Sequence, residues 1–460
     1  MTSDRPPEAL APLVQLARLA ARPIDRFLHI QAASGLVLLV CAAVAMGLAN
    51  SPWRDAWFSL WESPIGLRVG PFAVEKSLAW VVNDGLMVIF FFVVGLEIRR
   101  EAHQGELSTW RRAALPAAAA LGGMLVPAVV YLAIAGAPET RAGWGVPMAT
   151  DIAFAVGILA LLGPRAPPAL RVLLLALAVI DDLGAIVVIA LFYTSELSWS
   201  FALVAALGFA GIFAFQAFGV RSKWAYVVPS VVAWAGVYGF GVHPTIAGVL
   251  VGLVTPVRAW LGPEGFVAHV QRQLGAVTTP GLSAHELAVH LAAVDHARRE
   301  ALSPAESLIE KLHPVVAWGI MPVFALANAG VALDSGPTSG ASSLVTVGVI
   351  AGLVVGKPVG VFAASWLVTR LGVGTLPIGL GGRHLVVLGL VAGVGFTMSL
   401  FIAQLAFVDA ALLGAAKVGV LVASVVAATL SVGAGLWLLP KAPVEGAAMT
   451  AHEAEGSTTK

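Results

Sequence analysis

Two adjacent aspartates, Asp181 and Asp182, lie in the middle of an apolar run over residues 170–193. Carboxylates at such a depth in a membrane helix are costly unless they have a partner or a function. Successive residues of a helix point about 100° apart, so the two carboxylates cannot face one point. One can face a cation-accessible cavity while the other turns to a neighbouring helix. The pair therefore predicts cation or proton chemistry inside the membrane.

Thr150 and Asp151 follow a stretch that weakens helical structure, since Gly143, Gly145 and Pro147 precede them. Interrupted membrane helices expose carbonyl groups that coordinate cations. An acidic residue at the break compensates the positive end of the half-helix that follows. Both residues are therefore candidate ion ligands.

A second interruption is predicted at residues 389–397, which contain three glycines and no charge. Glycine in a membrane helix also permits close helix packing, which is the structural alternative here. Two broken spans in separate halves of the chain favour inverted repeats with two crossed discontinuous helices.

Lys357 lies near the middle of the apolar segment 344–368. It is a candidate counter-ion for one of the aspartates, a candidate proton carrier, or both, and the sequence does not separate these roles. Asp84, Glu97 and Glu101 lie toward the ends of another predicted span. For these three, snorkelling or an ion pair with a neighbouring arginine is the alternative to a role in transport.

Composition places these residues in a membrane, because 58% of the chain is hydrophobic and only 12% is charged. Apolar segments recur between residues 30 and 439, which predicts an all-α polytopic membrane protein with about 12 transmembrane helices. Segments 226–240 and 245–257 are shorter than the roughly 20 residues of a full crossing and form either two short tilted helices or one re-entrant hairpin. The net charge of +1 gives no sign of a nucleic-acid partner.

Lysine and arginine in the short loops predict the orientation of the chain. Arg99, Arg100, Arg111, Arg112 and Arg370 fall on one side, which should be cytoplasmic together with both termini. The expected parts are a cytoplasmic N-terminal segment (1–29), a transmembrane domain (30–439) and a disordered cytoplasmic tail (440–460). Within the domain, 51–76 is a hairpin-like periplasmic loop and 260–312 is a cytoplasmic insertion.

The energy source must be an ion gradient or the membrane potential, since no phosphate-binding loop is present. A carboxylate removed from water can hold either a proton or a small cation, and this mutual exclusion couples the two flows. The residues thus predict a cation/proton antiporter. A passive cation pore and a transporter of an organic solute are the alternatives. Lys357 among the acids, the lack of a charge ring and the scarcity of aromatic or arginine anchors at depth argue against them.

Several motifs of the chain resemble the NhaA family of sodium/proton antiporters. They are Ala149-Thr150-Asp151-Ile152-Ala153, Val179-Ile180-Asp181-Asp182-Leu183-Gly184, Val82-Asn83-Asp84-Gly85, Gly241-Val242-His243-Pro244, Gly356-Lys357-Pro358 and Gly393-Val394-Gly395-Phe396-Thr397. The resemblance implies that Asp181 and Asp182 bind sodium and protons, with Thr150 and Asp151 at the helix crossing. It also implies that Lys357 pairs with Asp181.

The same resemblance implies exchange of cytoplasmic Na⁺ or Li⁺ for external H⁺ across a bacterial inner membrane. The exchange would be electrogenic, activated at alkaline pH and without a cofactor, and segment 51–76 would support a homodimer. Glu97, Glu101 and His243 fall where the family has residues implicated in the pH response. The chain departs from the family before the ninth span, where only His313-Pro314 aligns securely.

Overall fold

The computed structural model describes residues 31–69, 72–194, 197–277, 283–332 and 340–440. The expected N-terminal segment 1–29 lies outside the described residues, as does the expected tail beyond residue 440. The described chain is a bundle of α-helices with one β-hairpin.

The bundle contains helices of very different lengths. They are α1 (Gln31–Ala49), α2 (Arg54–Glu62), α3 (Leu78–Gln104), α4 (Trp110–Ala135), α5 (Ile152–Leu161), α6 (Pro168–Phe192), α7 (Trp199–Ala217), α8 (Val227–Phe240), α9 (Pro244–Val254), α10 (Gly262–Val277), α11 (Ala284–Ala301), α12 (Pro304–Ala329), α13 (Gly340–Arg370), α14 (Gly382–Ala392), α15 (Phe396–Ala406) and α16 (Ala410–Leu438).

Seven helices of the described chain are long and apolar enough to cross a membrane, or up to ten if each of three bent pairs counts as one span. The all-helical membrane fold predicted from the sequence is confirmed, whereas the number of twelve spans is not. The difference comes from α8 and α9, which have 14 and 11 residues. At 1.5 Å per residue neither reaches the roughly 30 Å of a hydrocarbon core.

Helices α8 and α9 are joined at Gly241, which adopts a positive φ of 102°. They pack against different long helices. Gly208 and Gly236 bring α7 and α8 together, whereas Gly248 lies on Val88 of α3. The segment thus consists of two short helices, each supported by its own neighbour.

The segment between α1 and α3 contains α2 and the β-hairpin. Helix α2 is bent by 114° from α1. Strands β1 (Pro64–Val69) and β2 (Phe72–Ser77) pair antiparallel, with Pro64 opposite Ser77. The hairpin leads directly into α3, so it marks the membrane face at which α3 begins.

Helices α4 and α13 approach closely because glycines meet at their contact. A side chain at Gly360 would overlap the carbonyl oxygen of Gly122, and a side chain at Gly122 would overlap that of Gly360. Small residues permit this close packing of membrane helices. The contact fixes α13, and therefore Lys357, against the centre of the bundle.

The insertion between α9 and α12 folds into a helical hairpin, α10 and α11. Arg221, in the loop between α7 and α8, pairs with Glu300 of α11 and lies over the ring of Trp260. The backbone N–H of Leu261 donates to the carbonyl oxygen of Glu300 at 3.1 Å. The contacts of Arg221 dock the hairpin on the α7–α8 loop. Helix α12 begins at Pro304, inside the range 260–312, and continues through the bundle.

Candidate functional site

The two interruptions predicted from glycine and proline are both present. A 3-10 helix (Arg141–Met148) is bent by 40° from α5, and α14 is bent by 48° from α15. The N–H of Asp151 donates to the carbonyl oxygen of Val394 at 2.8 Å, so the two breaks meet. The two broken spans run in opposite directions, since α4 and α13, which lead to them, pack antiparallel with Tyr131 beside Gly348 and Leu115 beside Gly374.

Asp151 caps the half-helices of both broken spans. One carboxylate oxygen accepts the N–H of Phe154 in α5 at 3.1 Å. The other accepts the N–H of Thr397 in α15 at 3.1 Å and also the hydroxyl of Thr397. A carboxylate at a helix N-terminus satisfies free N–H groups and compensates the positive end of the helix dipole. Asp151 is therefore the residue that joins the two breaks.

Asp181 is held from two sides at mid-span of α6. Its Oδ2 accepts the Lys357 ammonium at 2.8 Å and the Thr150 hydroxyl at 2.7 Å. The same hydroxyl lies 3.1 Å from the carbonyl oxygen of Ala392, so its single proton serves one acceptor at a time. Lys357 also donates to the carbonyl oxygen of Met148. Lys357 is fully buried and Asp181 is 1% exposed.

Both aspartates have a buried oxygen without a partner. Among the described residues, Oδ1 of Asp181 and Oδ1 of Asp182 are buried and have no hydrogen-bond partner. Buried polar atoms rarely lack a hydrogen-bond partner, because an unsatisfied acceptor costs about 1–3 kcal/mol. Each of these oxygens can accept a small cation or a proton.

Lys357 occupies an unusual position in α13, directly after a π-helical turn at Gly352–Gly356. Such turns in α-helices occur frequently at functional sites. Gly356 packs on Pro127 of α4, where a larger side chain would not fit. The turn and the close contact together aim the ammonium at Asp181.

The structure separates the three residues expected to affect the pH response. Glu97 and Glu101 lie near the end of α3, where Glu101 is 3.4 Å from Arg100. His243 lies toward the hairpin face, with its Nε2 at 3.3 Å from Oδ1 of Asp84. Asp84 and Glu97 are thirteen residues apart, which is about 20 Å along a helix. These residues therefore do not form one cluster.

The sequence does not show that Thr397 is a partner of Asp151, although the motif Gly393-Val394-Gly395-Phe396-Thr397 marks the break. It also does not show that Asp84 pairs with His243. A further lysine, Lys417, lies inside α16 and has no ion-pair partner in the described part of the chain. The sequence contains one signal that could have identified Lys417, which is its position as a lone lysine in an apolar run.

The fold and the site define a secondary transporter of ions. The chain is a helical membrane bundle in which two broken spans cross at a capped break, and two buried aspartates lie beside a lysine. Proteins of this class are not enzymes. The family model described as Na⁺/H⁺ antiporter 1 matches residues 25–434. The chain therefore belongs to this family of sodium/proton antiporters, as its motifs predicted.

Individual relatives agree over nearly the full length. A Na⁺/H⁺ antiporter NhaA 2 of Myxococcus xanthus (strain DK1622) is 65% identical over 459 residues, or 99% of this chain and 98% of the relative. A protein of the same name from Sorangium cellulosum (strain So ce56) is 54% identical over 464 residues, covering 99% of both chains. A third, from Pseudomonas putida (strain KT2440), is 48% identical over 433 residues, covering 93% of this chain and 96% of the relative.

Proposed function

We propose that this protein exchanges cytoplasmic Na⁺ or Li⁺ for external H⁺, with Asp181 and Asp182 as the shared binding site. The observation that supports this most is the pair of buried, unpartnered Oδ1 atoms on these residues. A cation bound at these carboxylates replaces the protons they would otherwise carry. Because the site holds one or the other, the flows are coupled in opposite directions.

Lys357 controls the charge of the site in this proposal. In the state described, its ammonium holds Oδ2 of Asp181 at 2.8 Å, which is the arrangement for a site without a cation. An arriving cation competes with the ammonium for Asp181. Lys357 then acts as a counter-ion that is displaced, and it carries a proton if it is deprotonated at that moment.

Thr150 and Asp151 complete the proposed site from the crossing of the broken spans. The Thr150 hydroxyl and the exposed carbonyl groups of the break, such as that of Ala392, offer oxygen ligands for a small hard cation. Asp151 has both carboxylate oxygens occupied by α5 and α15. Its proposed role is therefore to hold the crossing together and to supply negative charge next to the cation.

The finer properties follow the family resemblance and belong to the same proposal. Transport is electrogenic and switched on at alkaline cytoplasmic pH, with Glu97, Glu101 and His243 contributing to that response. The antiporter domain covers residues 30–439 of a bacterial inner-membrane protein. Both termini and the insertion 260–312 face the cytoplasm, because arginines concentrate at that face. The β-hairpin in 51–76 is the proposed contact of a homodimer.

Everted membrane vesicles test the exchange. Their interior is acidified by respiration, and Na⁺, Li⁺ or K⁺ is then added at several pH values while a fluorescent dye reports the internal pH. Proton efflux on Na⁺ or Li⁺, but not on K⁺, and faster at alkaline pH, is the expected result. Repeating the assay with the membrane potential clamped by valinomycin and K⁺ tests whether net charge moves.

Two other results would overturn the proposal. Efflux with all three cations would indicate a passive cation pore. No efflux at any pH, in vesicles shown to contain the protein, would leave an organic solute as the transported species. Vesicles that carry an Asp181→Asn variant provide the background signal for each cation.

A further inference from the structure

Three amide side chains meet between α3, α12 and α15, away from the candidate ion site. Asn328 of α12 is at the centre and is 2% exposed. Its Nδ2 donates to Oδ1 of Asn83 at 2.8 Å and to the carbonyl oxygen of Phe324 at 2.9 Å. Its Oδ1 accepts the side-chain amide of Gln404. We call Asn83, Asn328 and Gln404 the amide layer.

Three phenyl rings meet between the same three helices. Phe401 of α15 lies 5.3 Å from Phe91 of α3 and 6.2 Å from Phe324 of α12, measured between ring centroids. All three rings are almost completely buried. We call Phe91, Phe324 and Phe401 the aromatic layer.

Each helix contributes one residue to each layer, and the order along the membrane is the same for all three. Helix α3 begins at the β-hairpin, so Asn83 is nearer to that face than Phe91. Helices α12 and α15 run toward that face, so Asn328 lies beyond Phe324 and Gln404 lies beyond Phe401. The amide layer is therefore on the hairpin side, and the aromatic layer lies between it and the middle of the membrane.

The two layers are connected directly to the candidate ion site through α15. Thr397, Phe401 and Gln404 are four and three residues apart, a spacing that places them on one face of a helix. Thr397 bonds to Asp151, Phe401 belongs to the aromatic layer and Gln404 belongs to the amide layer. Movement of α15 at the site must therefore move both layers.

We propose that the amide and aromatic layers form the external gate of the transporter, closed in the conformation described. The proposal rests on the proposed function and its orientation, in which the hairpin face is external. The phenyl rings exclude water from the path between the site and the outside. The amide hydrogen bonds hold the three helices in register and must break when the site opens outward.

Hydrogen bonds of the amide layer are suited to hold the gate closed, because they are directional and buried. Loss of the Gln404 amide removes a hydrogen bond to Oδ1 of Asn328 that exists only in the closed state, so the closed state is selectively disfavoured. A ligand site that is reachable from one face in each of two conformations has an apparent affinity that depends on the population of each. The half-saturating Na⁺ concentration at the cytoplasmic face, divided by that at the external face, is then proportional to the ratio of protein with an open external gate to protein with a closed one.

The variant Gln404→Met tests the role of the amide layer, because methionine has a similar length and no amide. Half-saturating Na⁺ is measured at the cytoplasmic face in everted vesicles and at the external face in right-side-out vesicles. We expect the cytoplasmic-to-external ratio to rise about fivefold or more, as for loss of one buried hydrogen bond. Gln216→Met is the matched control, because it removes a glutamine bond to the carbonyl oxygen of Val254 outside the layers. An unchanged ratio in Gln404→Met, or an equal rise in Gln216→Met, would overturn the proposal.

A second experiment does not depend on that variant. In a Cys41→Ser background, Asn328→Cys and Gln404→Cys are combined, and a short thiol-reactive cross-linker joins them. The expected result is loss of exchange that reducing agent reverses, while Na⁺ still binds to the purified cross-linked protein by calorimetry. Normal exchange after complete cross-linking, or simultaneous loss of Na⁺ binding, would contradict a gate. Lack of exchange in the unmodified protein would instead count against the proposed function.

Discussion

Lys357 and Asp181 form a buried ion pair in the centre of the bundle, with Nζ 2.8 Å from Oδ2. Neither residue has access to solvent, so each charge depends on the other for compensation. Removing one partner of such a pair leaves an uncompensated buried charge, which typically costs about 3–5 kcal/mol. The pair therefore links the stability of the bundle to the charge state of the site.

Replacement of the lysine tests this link. Lys357→Ala should lower the free energy of unfolding by about 3–5 kcal/mol, and adding Asp181→Asn should restore much of it by removing the stranded charge. Thermal unfolding of the purified protein in detergent measures both effects. Lys417→Ala, at the other lysine within a span, should cost much less because Lys417 has no ion pair among the described residues. Equal losses at both lysines would contradict the account. Charge moved per Na⁺ in Lys357→Ala further shows whether this lysine carries a proton.

The sequence identified the charged residues at the centre of the bundle because charge in an apolar run is conspicuous. Asp181, Asp182 and Lys357 were found by this signal and Asp151 by the helix break beside it. The structure brings these residues together around one crossing, and their roles stay predictions. Glycine and proline also located both helix breaks. These features are local, so the pattern of residue types along the chain contains them.

The remaining features depend on contacts between distant segments. Pairing of Asp84 with His243 requires α9 to lie beside α3, and nothing near either residue specifies this. Thr397 resembles any other threonine until α5 and α15 cross. The number of spans was also ambiguous, because 14- and 11-residue helices lie below the length at which hydropathy distinguishes a crossing from a partial one.

Asp151 should be more important for its shape than for its charge in stabilising the crossing. Asp151→Asn keeps an acceptor for Phe154 and can retain a bond to Thr397, whereas Asp151→Ala loses both helix caps. Each lost cap typically costs about 1 kcal/mol, so we expect Asp151→Ala to be less stable than Asp151→Asn by about 2 kcal/mol. Chemical or thermal unfolding compares the two variants. Equal stability would show that the carboxylate does not join the half-helices.

The glycine contact between α4 and α13 should be intolerant of a methyl group. Gly360→Ala forces the helices apart, because the new carbon would overlap the carbonyl oxygen of Gly122. We expect a loss of about 1–3 kcal/mol in stability together with slower exchange, since Lys357 lies one turn away. Gly433→Ala is the control, because a side chain there meets no atom within 4 Å. A neutral Gly360→Ala would exclude close packing as the means of positioning the lysine.

His243 should affect the pH profile of exchange. Nε2 of His243 lies 3.3 Å from the Asp84 carboxylate, and this contact holds α9 to α3. His243→Gln removes the imidazole from this contact, so the proposed alkaline activation should begin at a lower pH with a similar maximal rate. His103→Gln, at the opposite end of α3, should leave the profile unchanged. A wild-type profile in His243→Gln would remove this histidine from the response.

We propose that Asp182, beside Asp181, exchanges a cation for a proton. The most direct test compares the unmodified protein with Asp182→Asn in everted vesicles matched for protein content, with Asp409→Asn as control because asparagine also caps the start of α16. We predict that Na⁺ releases protons from vesicles with the unmodified and the control protein. Asp182→Asn should reduce the rate to background while the protein remains inserted and folded. Normal proton release in folded Asp182→Asn would contradict the mechanism.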